Sequence, residues 1–217
     1  MTDIPDISPP GHTTDPSVTR AGEAILVAGV DEAGRGPLAG PVAVSAVILP
    51  ANHRLTALDD SKRLSAKKRE ALAPQIKAIA LAFSVIFVEP EEIDRVNILQ
   101  ATMIGMQRAI AQLNPSPDKA LIDGNRAPVL DCQVETIIGG DGLVASISAA
   151  SILAKVARDH RMQSLHLQYP DYGFDQHKGY PTALHREQLH ACGPCPAHRR
   201  SFAPVKKALQ QFTEQGL

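Results

Sequence analysis

The 217-residue sequence predicts an α/β domain built on a mixed sheet flanked by helices. Three observations lead there. Apolar strand-like runs come first, and further strands then alternate with helical periodicities, the order expected of an α/β domain with a mixed sheet. The first two runs are joined by the ten-residue link EAGRGPLAGP. That is too short for a parallel crossover of about a dozen residues or more, so the two runs should pair antiparallel. Finally, acidic residues close two of the strands, at the carboxyl edge where open α/β sheets place their sites.

Residues 1–22 are rich in Pro, Thr, Asp and Ser, with almost nothing to bury, and are expected to be a flexible tail. Residues 23–217 should form the folded domain. AILVAGVD (24–31) reads as an apolar strand, and VAVSAVIL (42–49) as a second with Val42, Val44, Ala46 and Ile48 on one face. From Ser65 to Ala80 the pattern is helical, but Pro74 should kink or interrupt it. AFSVIFVE (82–89) is a third strand. Leu99, Met103, Met106, Ile110 and Leu113 then mark one stripe of an amphipathic helix. ALID (120–123) and VETII (134–138) are short strands, and a long helix begins near Ile147. A short helix near 182–191 and a last one near 205–212 complete the chain.

Composition narrows the function. Hydrophobic residues make up 44% and charged residues 21%, and the net charge is −1, which excludes a histone-like polycation but not a nucleic-acid enzyme with locally sorted charge. The charge is in fact sorted: residues 155–207 carry nine basic and four acidic groups, whereas residues 1–154 carry 13 and 18. The C-terminal third is basic enough to meet a phosphate backbone. Cys132, Cys192 and Cys195 are too few for a disulfide framework. No apolar run approaches the roughly 20 residues that span a bilayer, and the acidic, proline-rich start is unlike a signal peptide. A cytoplasmic location is expected.

Four acids stand at strand ends or glycine turns. Asp31 and Glu32 close the first strand before Gly34-Arg35-Gly36, Asp123 precedes Gly124, and Asp141 lies in GGDG. Each alone could be a turn residue or a helix cap. Together at one sheet edge they suit Mg²⁺ or Mn²⁺, which take oxygen ligands. The glycines of GVDEAGRGPLAGP permit close backbone approach, and Arg35 offers a planar fork of donors. This stretch matches neither a dinucleotide fingerprint nor a phosphate-binding P-loop.

These motifs, with DSKRLS (60–65), LIDGN (121–125), SAASILAKVARD (148–159), YGFDQHKGYPT (172–182) and HRRSF (198–202), occur in order and closely resemble those of the bacterial ribonuclease HII family. The resemblance covers about residues 25–209. It implies a ribonuclease H-like fold with a small helical C-terminal extension, about 182–217. It also implies cleavage of RNA in RNA–DNA hybrids and incision on the 5′ side of ribonucleotides embedded in duplex DNA. Carried over by motif, Asp31, Glu32, Asp123 and Asp141 hold two Mg²⁺ or Mn²⁺ ions, and Gly34, Arg35 and Gly36 sense the ribose 2′-OH. Tyr180 packs on the deoxyribose that follows. Ser61, Lys62, Ser151 and Lys155 become candidates for phosphate contact. For Lys155 the plainer role is an i,i+4 pair with Asp159, and for Lys62 a solvated surface charge. The expected partners are RNA–DNA hybrid and ribonucleotide-containing duplex DNA, met by a monomer away from any membrane. His198, Arg199 and Arg200 could either contact phosphate or cap the last helix.

Two departures from the family pattern are Pro74 and Asp59, the latter where Asn is frequent. One motif stands outside the resemblance. Cys192-Gly193-Pro194-Cys195, with His190 and His198, could be a helix end with Gly193 as cap, a zinc site or a thiol–disulfide site. The cap explains the residues most simply.

Overall fold

A computed structural model describes residues 19–20, 23–55, 58, 61 and 63–214. Most of the expected N-terminal tail, Asp59 and Lys62 lie outside the described residues. Strands β1 (Thr19–Arg20) and β2 (Glu23–Ala24) form a minimal antiparallel pair. The main sheet comprises β3 (Val27–Ala33), β4 (Val42–Ile48), β5 (Ala82–Val88), β6 (Lys119–Asp123) and β7 (Gln133–Ile137) in the order β5-β4-β3-β6-β7. β3, β4 and β5 pair antiparallel, whereas β6 and β7 run parallel to β3. The sheet is therefore mixed, with the short link between β3 and β4 making the antiparallel turn expected of it. Val30 is opposite Ile122 in the parallel ladder, which brings the next residue of each strand, Asp31 and Asp123, to the same edge.

Helix α1 (Ala66–Ile79) starts at Ser65, whose side chain accepts from the Lys68 amide at 3.3 Å. Pro74 does not interrupt it. The proline is exposed, so water can satisfy the Glu70 carbonyl that its missing N–H leaves unpaired. Helix α2 (Pro90–Val96) is not among the elements expected from sequence, although Pro90 at its first position and Glu91 and Glu92 in its first turn are ordinary helix-start signals. Asn97, at φ +70°, separates it from α3 (Ile98–Ala111) and caps α3 by accepting from the Leu99 and Gln100 amides. Helix α4 (Ala145–Gln168) begins two residues earlier than its sequence pattern indicates. The short α5 (Phe174–His177), α6 (Ala183–Cys192) and α7 (Ala203–Glu214) complete the chain.

Helices cover both faces of the sheet. α4 crosses β3 and β4 on one face with α1 beside it, and α3 crosses β4 and β5 on the other. Two glycines set these distances. A Cβ on Gly29 would lie 2.1 Å from the Ser146 carbonyl carbon of α4, and one on Gly105 would lie 2.6 Å from a Val44 methyl. Buried Val30, Val44, Ala46, Ile48, Met106 and Ile122 fill the α3 side. Val47, Leu72, Ile76, Ala149, Ile152 and Leu153 fill the α1–α4 side.

The C-terminal helices bury a smaller core against the β3–β4 link. Leu38 packs with Leu189, Val205 and Ala208, and Ala39 with Met162, Phe174, Cys195 and Ala197. The extension thus clamps the glycine-rich loop onto the sheet. No helix among the described residues is long and apolar enough to cross a membrane.

Candidate active site

Asp31, on β3, is buried, and Asp123 ends β6 beside it. Asp141 sits in a 3-10 turn over Gly140–Gly142, which leads into α4. Ser148 of α4 donates its hydroxyl to the Asp141 carbonyl and ties that turn to the helix. The three aspartates each offer a carboxylate oxygen within 4.8 Å of the others. Glu32 is not part of this trio. Alternation along β3 turns it to the opposite pleat from Asp31, where its Oε1 accepts from Arg35 Nη1 at 3.3 Å.

Burial holds the Asp31 carboxyl well above the ordinary carboxylate range, and the negative charges of Glu32 and Asp123 add to the rise. Hydrogen bonds from Ser151 and from the Glu32 amide, the latter 2.7 Å long, pull the other way. A buried cluster of like charges built only from oxygen donors fits a hard divalent cation, which would remove the penalty on ionising Asp31.

Beside the acids, Gly34 takes φ +96° while Arg35 and Gly36 are exposed. Tyr180 stands next to them, 44% exposed, with its Cε1 3.7 Å from where a Cβ on Gly36 would be. Leu38 donates its amide to the Gly179 carbonyl at 2.8 Å, so the glycine loop and the Tyr180 segment are joined directly. Ser61 and Ser151 are both buried near Asp31 and face each other. Lys155 pairs with Asp159 at 2.7 Å, the plainer of its two roles, yet its side chain stays 24% exposed. Lys62 lies outside the described residues.

Two residues of the loop's support were not identified from sequence. Arg158 and Arg199 are almost fully buried, and both donate to carbonyls of the 34–41 segment. Arg158 lies four residues before Met162 and seven before Leu165, on the buried stripe of α4, and that spacing could have marked it. Burial lowers Arg158 to about 10 and Arg199 to about 9, the latter lowered further by the charge of Arg158. Both remain cationic at neutral pH. Two of the nine basic residues in 155–207 therefore face inward, and Arg199 and His198 are too deeply buried to touch phosphate. Arg200 is exposed, and its backbone amide donates to Asp94 at 2.7 Å.

The Cys192–Cys195 motif has the geometry of a helix end. Gly193, at φ +73°, closes α6, and its amide donates to the Leu189 carbonyl at 3.1 Å. Among the described residues, the acidic trio alone gathers three or more candidate ligand atoms, and these cysteines and histidines are not drawn together as a ligand set. Cys195 is buried and its thiol pushed up to about 11 by burial, the reverse of an activated redox cysteine.

The chain matches the family model described as ribonuclease HII over residues 28–205. It is 61% identical to the ribonuclease HII of Bordetella avium (strain 197N) over 180 residues, 83% of this chain and 89% of that protein. It is 59% identical to the ribonuclease HII of Dechloromonas aromatica (strain RCB) over 184 residues, 85% of this chain and 94% of that one. Among solved structures, the ribonuclease H2 from Pyrococcus horikoshii OT3 aligns with a TM-score of 0.72 at 28% identity, covering 88% of this chain and 100% of that one. The RNase HII in a PCNA:RNase HII complex from Archaeoglobus fulgidus aligns at 0.69 and 28% identity, covering 81% and 94%.

Proposed function

The chain belongs to the ribonuclease HII family, and from that premise we propose that it nicks duplex DNA on the 5′ side of single embedded ribonucleotides by two-metal-ion hydrolysis. As a family member it is a metal-dependent endonuclease that cleaves the RNA strand of RNA–DNA hybrids. The observation that carries the finer reading is the acidic trio lying beside the Gly34–Gly36 loop, in which Arg35 and Gly36 are exposed, and beside an exposed tyrosine.

In this reading Asp31, Glu32, Asp123 and Asp141 would hold the ions, Glu32 leaving its contact with Arg35 to do so. Two Mg²⁺ or Mn²⁺ ions would supply an activated water on one side of the phosphorus and charge stabilisation of the leaving 3′ oxygen on the other. The products are a 5′-phosphate on the ribonucleotide and a 3′-OH. Gly34, Arg35 and Gly36 read the 2′-OH, the group that separates RNA from DNA at one position. Tyr180 packs on the next deoxyribose, and Ser61, Ser151 and Lys155 lie along the path of the backbone, with Lys62 as a further contact. Residues 23–217 act as one monomeric catalytic domain.

The test is a duplex DNA carrying one ribonucleotide, incubated with Mg²⁺ or Mn²⁺. A single nick immediately 5′ of the ribonucleotide is expected. No nick with either ion, or nicking unchanged by EDTA, defeats the reading.

A further inference from the structure

The 34–41 loop owes its shape to two arginines that the chemistry above does not use. Arg199 donates from Nη2 to the Gly34 carbonyl at 2.6 Å, from Nη1 to the Arg35 carbonyl at 2.8 Å and from Nε to the Gly40 carbonyl at 2.9 Å. Arg158 donates from Nε to the Pro41 carbonyl at 3.0 Å and from Nη2 to the Ala39 carbonyl at 3.2 Å. Neither forms an ion pair with a carboxylate among the described residues, though both are about 1% exposed or less. Burying two guanidiniums is costly unless their donors find acceptors, and here their hydrogen bonds go to backbone carbonyls.

The arrangement fixes the loop in a particular sense. In a trans peptide the N–H of one residue points away from the C=O of the residue before. With the Gly34 and Arg35 carbonyls bonded inward to Arg199, the amides of Arg35 and Gly36 point outward. Arg158 occupies the space beneath Gly34, where a Cβ would fall 1.8 Å from its Nε, and its guanidinium lies 5.9 Å from the centre of the Tyr180 ring. The Leu38–Gly179 hydrogen bond and two further 2.8 Å bonds, Gly40 amide to Ala197 carbonyl and Arg199 amide to Leu38 carbonyl, complete the lacing.

We propose that Arg158 and Arg199 are positioning residues, which hold the Gly34–Gly36 loop and Tyr180 as one rigid reader and so set how well a ribonucleotide is selected. This rests on the reading of that loop as the element that senses the 2′-OH. A lysine keeps the charge but supplies one compact ammonium where Arg199 reaches three carbonyls in separate directions.

The test uses full-length wild type, Arg199→Lys, Arg158→Lys, Arg35→Ala and the Arg35→Ala/Arg199→Lys double variant. Substrate is the single-ribonucleotide duplex, and Mn²⁺ affinity is titrated separately. Losing hydrogen bonds from a charged donor should lower kcat/KM in Arg199→Lys by roughly ten- to a hundredfold. The double variant should be no worse than its poorer parent, and Mn²⁺ affinity should match wild type. Three results overturn the proposal: a folded Arg199→Lys with wild-type kcat/KM, losses that multiply in the double variant, or a parallel fall in Mn²⁺ affinity. Arg35→Ala at wild-type rates would overturn the loop assignment itself and the proposal with it. An impaired Arg35→Ala beside an unimpaired Arg199→Lys would overturn the proposal alone. If neither lysine variant folds, amide exchange of the wild type decides. Leu38 and Gly40 amides protected like those of β3 support a rigid reader, and fast exchange there overturns it.

Discussion

The hydroxyls of Ser61 and Ser151 share a 2.8 Å hydrogen bond although 90 residues separate them in the chain. Ser151 also hydrogen-bonds Asp31 and lowers its pKa, against the larger opposing effect of burial. An ionised Asp31 can only accept, so Ser151 then donates to it while Ser61 donates to Ser151. The pair is thus an outer support of the acidic trio. Ser151→Ala should raise the Mg²⁺ concentration needed for half-maximal cleavage by about 10- to 100-fold, the usual effect of losing an outer-shell partner, with partial rescue at high Mg²⁺. A metal titration checks this; an unchanged midpoint contradicts it.

Asp31→Asn separates function from stability. Removing a direct ligand should cost at least the roughly hundredfold seen at the upper end for outer-shell partners, so cleavage should fall by about that factor or more. Stability should move the other way. Because folding raises the pKa of Asp31, the stability linked to it is fully present below its unfolded pKa of about 3.9 and lost as pH rises through the folded value. At neutral pH the metal-free wild type therefore bears the cost of either ionising or protonating this buried carboxyl, which asparagine removes. Thermal unfolding in EDTA should show a higher midpoint for Asp31→Asn, and a lower one contradicts the assignment.

The sheet and helices α1, α3, α4, α6 and α7 were legible because their signals are local: apolar runs, an i/i+3/i+4 stripe and a link too short to cross over. The acids were legible as strand ends, and the ladder between β3 and β6 then brought Asp31 beside Asp123. Glu32 shows the limit. Its adjacency to Asp31 suggests a fourth member, but sequence gives no sign that its carboxylate also meets Arg35 at 3.3 Å. Arg158 and Arg199 were not legible as loop supports because their partners are carbonyls 117 to 165 residues away, and a carbonyl leaves no mark in sequence. Pro90 and Asn97, by contrast, are ordinary start signals for α2 and α3 that are visible in the sequence.

Behind Tyr180 stand three buried histidines whose hydrogen bonds require them to be neutral. His177 accepts from the Gly179 amide at Nδ1 and lies 2.6 Å from the Tyr172 carbonyl at Nε2. His198 accepts from the Cys195 amide at Nδ1, and its Nε2 is 3.1 Å from that of His185, whose Nδ1 meets the Tyr180 carbonyl at 2.9 Å. Burial lowers all three, His185 to about 4 and His198 to about 3, with His185 adding repulsion to the latter. Their folded values lie below the unfolded value of about 6.5. The stability they provide is therefore complete above that pH and lost as pH falls toward the folded values. Urea unfolding between pH 7.5 and 4.5 should show stability falling below pH 6.5, each histidine contributing up to about 1.4 kcal/mol per pH unit. A flat profile from pH 7 to 5 contradicts the neutral network.

Pro74 offers a gain in stability away from the site. It leaves α1 short of one backbone donor at an exposed position, so an alanine there restores a donor to the Glu70 carbonyl without touching the core. Proline in a helix interior is about 3 kcal/mol less favourable than alanine, and a structure adapted to it should recover roughly 1–3 kcal/mol. For a chain of this size that corresponds to a rise in melting temperature of about 2–12 °C. Calorimetry checks it, with unchanged cleavage of an RNA–DNA hybrid as the companion measurement.

Tyr180 separates ring packing from hydroxyl chemistry. The residue is 44% exposed, its carbonyl is held by His185, and its ring rests on Arg158 and the Gly36 position. Removing the side chain should therefore leave the fold nearly untouched, with a midpoint within about 2 °C of wild type. If the ring packs on the sugar after the ribonucleotide, Tyr180→Ala loses a contact of about 1–3 kcal/mol, the range for aromatic platforms under single strands. KM for a single-ribonucleotide duplex should then rise about 5- to 100-fold. Tyr180→Phe keeps the ring and should stay within about twofold of wild type. Equal losses in the two variants would place the role in the hydroxyl, and no loss in Tyr180→Ala would remove the residue from the substrate path.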